Sequence, residues 1–242
     1  MATREPRYSG ILVDNYDTLL QAWPHSGEMH RRLGKTIATH FRKHKGKAIN
    51  VVEIGSGRGE ATKYILEYEQ RSKVIAIDPS DRMQEELATN FKSYISQGRL
   101  FPIRTKVLDC LELCAGQMDV LASAWALHNF PREERRKILK TGYEAMFPGA
   151  LYLCMDKFVS DDPRKERRSL QVAVDRYRSI SQKNKWPAGL AEAIIEHEVQ
   201  DHQEPFVMRE NEALQDLRDA GFSKPRIVKR IERDALVIAY KK

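Results

Sequence analysis

Val51-Val52-Glu53-Ile54-Gly55-Ser56-Gly57-Arg58-Gly59-Glu60-Ala61-Thr62 sets an apolar strand directly before three glycines at alternate positions, with a carboxylate two residues ahead of the first. A turn built on Gly55, Gly57 and Gly59 carries no Cβ atoms. A ligand can therefore lie against bare backbone between the carboxyl end of a strand and the amino end of a helix. The spacing is G-x-G-x-G, not the G-x-G-x-x-G of dinucleotide-binding loops, whose third glycine stands one step later. A P-loop is excluded because no G-K-[ST] is present and Lys63 follows Gly59 at the wrong distance. Glu53 at the strand tip repels a pyrophosphate and attracts an ammonium or sulfonium group. The expected ligand is an adenosine-type molecule carrying positive charge.

Working outward, a second apolar strand, Val74 to Ile77, ends in Asp78. An acid about twenty residues beyond such a loop can accept both hydroxyls of a ribose. A third strand is read from Leu100 to Val107, placing Asp109 at the next strand tip, where it suits an adenine amino group. The fourth strand, Asp119 to Ser123, runs into Ala124-Trp125-Ala126-Leu127-His128-Asn129-Phe130, and Pro131 opens a helix with charge on its outer face. Phe147-Pro148-Gly149 reads as a turn before a fifth strand, Ala150 to Met155. Alternation of this kind gives a doubly wound, mostly parallel sheet covered on both faces. Two closely joined strand-like runs end the chain and must pair antiparallel.

With Glu53-x-Gly55-x-Gly57-x-Gly59, Asp78, Asp109, the ALHNF segment, Pro148-Gly149 and the AGF at Gly221-Phe222, the chain resembles the class I S-adenosylmethionine-dependent methyltransferases over roughly residues 48 to 160 and 212 to 242. The resemblance implies a seven-stranded α/β Rossmann-like sheet whose last strand is antiparallel, and S-adenosylmethionine as cofactor. It implies Glu53 near the cofactor's amino acid end, Asp78 on its ribose and Asp109 with Cys110 at its adenine, with Ser56, Pro79, Met83 and Ala124 in the same pocket. In the DKFVSDD segment at 156–162, the inserted helix pair and the AGF return, the layout resembles the carboxy-S-adenosylmethionine synthase branch. That branch clamps its cofactor's carboxylate with an arginine in the second inserted helix, whereas Leu190 to Met208 holds neither arginine nor lysine. Glu196 and Glu198 would repel a carboxylate, so ordinary S-adenosylmethionine is expected.

At 242 residues and 41% apolar content, one domain over residues 1–242 can bury a full core. Its parts are expected to be a helical lid (1–47), a cofactor-binding core (48–160), a helical cap insertion (161–210) and a terminal helix with a strand hairpin (211–242). No apolar run is long enough to cross a bilayer and the amino terminus lacks a secretion-signal core, so a cytoplasmic protein with no membrane partner is expected. Cys110, Cys114 and Cys154 read as reduced packing residues. Cys110-x3-Cys114 lacks the further ligands zinc requires, so no metal is expected. Of the net charge of +7, residues 1–50, with nine basic and four acidic side chains, supply +5, and Arg31, Arg32, Lys35, Arg42, Lys43, Lys45 and Lys47 lie along one helix and its linker. This is read as a solvated face, with RNA or another anionic partner as the alternative.

The additions should hold the acceptor. Tyr16 and His25 belong to the lid, whose helix is expected over Glu28 to His44; Arg176, Tyr177, Arg178 and Trp186 are the cap's candidate contacts. A sulfonium cofactor brings its own leaving group, so positioning and exclusion of water do most of the work. His128 is the candidate general base, with capping of the next helix as its alternative role; His25 and His197 are weaker candidates. Trp125 packs either against the cofactor, where a ring face attracts a cation, or in the core. The leading reading is methyl transfer to oxygen or nitrogen of a small polar metabolite. Behind it stand an RNA-modification enzyme or divergent carboxy-S-adenosylmethionine synthase, and a cofactor-binding protein without turnover. These residues set no oligomeric state.

Overall fold

The computed structural model describes residues 7, 10–44 and 46–242. Seven strands, β1 (Ile49–Ile54), β2 (Ser72–Ile77), β3 (Leu100–Ile103), β4 (Met118–Ala124), β5 (Met146–Lys157), β6 (Ser223–Ile231) and β7 (Asp234–Tyr240), form one sheet in the order β3-β2-β1-β4-β5-β7-β6. β1 to β5 run parallel, and β7 lies antiparallel between β5 and β6. Order is reversed between β1 and β4, which opens a crevice at the strands' carboxyl ends.

Strand side chains alternate between two cores. Val52, Ile54, Leu121, Tyr152, Cys154 and Val237 pack on one face with Ile138 and Leu139 of α8 (Arg132–Ala145) and Leu217 of α11 (Glu210–Asp219). Val51, Val120, Leu151, Leu153 and Leu236 pack on the other with Met29, Leu33 and Ile37 of α3 (Ser26–Phe41), Ile65 of α4 (Glu60–Tyr68) and Leu87 of α5 (Asp81–Asn90). Period-2 strands against period-3.6 helices produce this three-layer arrangement. Short helices α6 (Lys92–Ser96) and α7 (Val107–Leu113) flank β3.

Three expectations change. α3, assigned by sequence to the lid, is a covering layer of the sheet, because its buried stripe is continuous with the strand core. Among the described residues, α1 (Ile11–Asp14) and α2 (Tyr16–Leu20) are left in the segment expected as a lid. The turn expected at Phe147-Pro148-Gly149 lies inside β5 as a register shift against β4, with Gly149 at φ +80. The third strand stops at Ile103, since Val107, Cys110 and Leu111 bury at helical spacing and make α7.

The cap is α9 (Pro163–Asn184) and α10 (Leu190–Gln200). Asp162 starts α9 by accepting from the backbone N–H groups of Arg164 and Lys165, with Pro163 in the first turn. Leu12, Leu19 and Ala22 of the lid share one buried cluster with Ala173, Tyr177, Trp186, Leu190 and Ile194 of the cap. Arg31, Arg32, Lys35, Arg42, Lys43 and Lys47 are exposed, and Lys45 lies outside the described residues. No described helix is long and apolar enough to cross a membrane.

Candidate active site

The glycine loop joins β1 to α4. Gly55, at φ +66, backs onto the segment after β4: a Cβ there would lie 2.2 Å from Ala126 Cβ. Gly57, at φ +53, faces open space, the nearest atom to an added Cβ being Glu60 Oε2 at 3.8 Å. Bare backbone is thus available at Gly57, while Gly59 rests on the Phe91 ring. Glu53 is 1% exposed. Thr62 Oγ1 donates to its Oε2 at 2.6 Å, and Oε1 has no hydrogen-bond partner among the described residues. Burial pushes the Glu53 carboxyl up to about 8. A buried carboxylate oxygen lacking a donor is costly, and an arriving ammonium would satisfy it.

Asp78 closes β2, accepting from the backbone N–H of Gly57 at 3.0 Å and of Ser80 at 2.9 Å on separate oxygens. Each oxygen retains a lone pair for a hydroxyl. Burial raises the Asp78 carboxyl above the usual range. Buried Ser56 accepts from Gln84 Nε2 at 3.3 Å. Met83 is buried in the first turn of α5, Pro79 is exposed beside Asp78, and Ala124 is half-buried at the end of β4. An orphaned carboxylate oxygen, open backbone and a two-oxygen acceptor for hydroxyls fit S-adenosylmethionine. Asp109 is exposed in the first turn of α7 and not at a strand tip, and Cys110 is buried in the core, its thiol pushed up to about 12 by burial and neighbouring Cys114.

A second polar cluster lies where the cap meets the ends of β4 and β5. His128, in a single 3-10 turn (Leu127–Asn129), is 4% exposed, and its Nδ1 lies 2.6 Å from Asp156 Oδ1. Asp156 Oδ2 also accepts from the His128 backbone N–H at 3.3 Å. The ring is therefore fixed by a carboxylate and does not cap the next helix, which begins after Pro131. On its far side, Nε2 faces Asp201 Oδ2 at 3.9 Å, with the His197 ring edge-on at 5.7 Å. Lys157 Nζ sits 2.8 Å from Asp201 and 3.2 Å from Glu198; Arg233 lies 2.6 Å from Glu198, Tyr177 donates to Glu198 at 2.8 Å, and Arg7 reaches Asp201 at 2.9 Å. Burial alone would lower Lys157, but Asp201 and Glu198 carry it above the ordinary lysine range. Burial likewise opposes the charge on Glu198 and Asp201, and Lys157 holds both well below the carboxylate range.

The charge on Glu198 is thus answered by Lys157 and Arg233, so it does not repel an incoming carboxylate as its sequence position suggested; Glu196 is exposed on the outer face. Arg178 is exposed and away from the cluster, a correction to its expected contact role, because Ala173, Val174 and Tyr177 take the inward face of α9. Arg176 is tied to Glu232 at 2.6 Å, and Trp186 is packed between lid and cap, so both hold the cap in place. Trp125, at φ +49, donates from Nε1 to Asp234 at 2.8 Å and meets His30 edge-on at 5.0 Å. Tyr16 lies under the Arg58 guanidinium at 4.9 Å, and His25 is half-buried at the start of α3. Sequence reasoning missed Asp156, although it is one more acid at a strand tip. It also missed Lys157, Asp201 and Arg233, whose partners are distant in the chain.

A family model described as "Methyltransferase domain" matches residues 51–149. A carboxy-S-adenosyl-L-methionine synthase from Shewanella denitrificans is 28% identical over 134 residues, covering 52% of each chain, so the match spans about half the length of that relative. Among solved structures, the plantazolicin methyltransferase BamL, bound to a desmethyl substrate analogue and S-adenosylhomocysteine, is similar with TM-score 0.68 at 12% identity, covering 98% of this chain and 94% of that one. The CurJ carbon methyltransferase is similar with TM-score 0.69 at 15% identity, over 98% and 61%. At those identities the structures speak for the fold alone. Residues 51–149 thus match a methyltransferase domain, and the glycine loop and sheet order are similar to those of the class I S-adenosylmethionine-dependent methyltransferases.

Proposed function

We propose that the protein transfers a methyl group from S-adenosylmethionine to a nitrogen or oxygen of a small polar metabolite, with His128 as proton acceptor. The observation that carries this reading is the Asp156–His128 pair, buried under the cap at the carboxyl end of β4. When bound, the cofactor supplies an electrophilic methyl on a sulfonium that is its own leaving group. Glu53 would receive the cofactor's ammonium, Gly57 its approach to backbone, and Asp78 its ribose hydroxyls. With Nδ1–H donated to Asp156, His128 presents the Nε2 lone pair on its other side, where it can take a proton from an acceptor as the new bond forms. Lid and cap exclude water from that step.

The experiment is transfer of labelled methyl from S-adenosylmethionine to a panel of small amines, alcohols and phenols. His128→Ala is expected to lower turnover at least 100-fold with cofactor affinity, read by calorimetry, within about threefold of wild type. Unchanged turnover would remove His128 from the mechanism.

A second reading follows from the Shewanella relative: a divergent carboxy-S-adenosylmethionine synthase-like protein. Mass spectrometry of the nucleoside that copurifies separates the two, since only this reading requires a carboxylated cofactor.

A further inference from the structure

His197 and Asp201 stand one helical turn apart on α10 and so share a face. There they meet His128. His197 Nδ1 lies 3.4 Å and His128 Nε2 3.9 Å from the same Asp201 oxygen, the three ligand atoms all fall within 4.8 Å of one another, and all three residues are buried. The outer nitrogens are committed elsewhere: His128 Nδ1 to Asp156 at 2.6 Å, and His197 Nε2 to Asn129 Oδ1 at 3.2 Å. Both inner nitrogens then face the Asp201 carboxylate, and a metal ion would take the place of any proton held between them. An acceptor behind each ring is the arrangement that orients metal-bound histidines. Ligands 2.0–2.1 Å from a tetrahedral ion are themselves roughly 3.4 Å apart, which this cluster reaches with small movements.

We propose that His128, His197 and Asp201 bind a divalent ion of the zinc type, which occupies the lone pair of His128 and thereby blocks methyl transfer. Only the blocking depends on the function proposed above; the binding does not. Two imidazoles and one carboxylate suit zinc, cobalt or nickel and not magnesium or calcium, which take oxygen ligands. Linear order hides this cluster, since His128 is some seventy residues from its partners. Lys157 opposes the ion, its Nζ lying 2.8 Å from the same Asp201 oxygen, and Arg7 holds the other oxygen at 2.9 Å. Glu198, 3.2 Å from Lys157, keeps a place for the ammonium when an ion arrives. Neighbouring positive charge should weaken the site, to a dissociation constant on the order of micromolar.

Calorimetric titration of the chelator-treated, full-length protein with Zn2+ is expected to show one site, abolished in His197→Ala and tightened at least tenfold in Lys157→Met. In protein labelled with 15N-histidine, Zn2+ should move the His128 Nε2 and His197 Nδ1 resonances and leave His128 Nδ1 protonated. Absence of a zinc site in the wild-type protein overturns the proposal, as does a site that survives both His197→Ala and Asp201→Asn. Zinc binding that leaves the His128 resonances unmoved overturns the blocking. If zinc fails to bind while His128→Ala still abolishes turnover, this inference falls and the proton-acceptor role stands.

Discussion

Glu53 carries a cost in the cofactor-free protein. Its folded-state pKa, about 8, exceeds the model-compound value of 4.5 because burial penalises the charge. The folded protein keeps this proton up to about pH 8, whereas the unfolded chain releases it above 4.5, so the stability present below pH 4.5 is lost as pH rises through that window. Glu53→Gln should therefore match wild type near pH 4.5 and exceed it by pH 9, by on the order of 4 kcal/mol in urea denaturation, while binding S-adenosylmethionine at least tenfold more weakly. The two glycines separate in the same way. Gly55→Ala, forced against Ala126, should fail to fold or lose several kcal/mol, whereas Gly57→Ala should cost only about 1 kcal/mol of backbone strain yet obstruct the cofactor. The glycine loop, Glu53 and Asp78 were legible in the sequence because their chemistry is local to a strand tip. Asp109 was misplaced because the helical burial of Val107, Cys110 and Leu111 outweighed a strand reading through the same residues.

At the scale of elements, α9 and α10 were legible from the Asp162-Pro163 start and the Trp186-Pro187-Ala188-Gly189 break. What they enclose was not, because a buried ion pair leaves no periodic trace. Lys157 and Asp201 look like ordinary surface charges until the fold sets them 2.8 Å apart. Tyr177 shows how the cap is fastened: its hydroxyl donates to Glu198 at 2.8 Å and accepts from Trp23 Nε1 at 3.1 Å. Tyr177→Phe should lower stability by about 1–3 kcal/mol in thermal or urea unfolding, since it leaves both partners short of a hydrogen bond in a dry interior. Arg176→Ala, which breaks a half-exposed pair with Glu232, should cost under about 1 kcal/mol and leave the Michaelis constant for the acceptor unchanged.

Across the whole molecule, the lid touches two neighbours with very different strength. Toward the cap it buries Leu12, Leu19 and Ala22 among apolar side chains. Toward the cofactor loop it is held by Arg58 to Asp17, by Arg82 to Asp14 at 2.7 Å, and by Arg58 over Tyr16, around a cavity of about 110 Å³. Asp17 and Asp14 are largely exposed, so these pairs are worth little and salt screens them. Release of S-adenosylhomocysteine, followed by stopped-flow fluorescence, should quicken between 0.05 and 0.5 M salt and in Arg58→Ala. Under the proposed function, opening of this seam alone would let a spent nucleoside be exchanged for a fresh one while the apolar contact between lid and cap stays closed. An acceptor nitrogen with more than one replaceable hydrogen should then be methylated processively, with the dimethylated product present from the first turnovers and little free monomethyl intermediate in the mass spectrum.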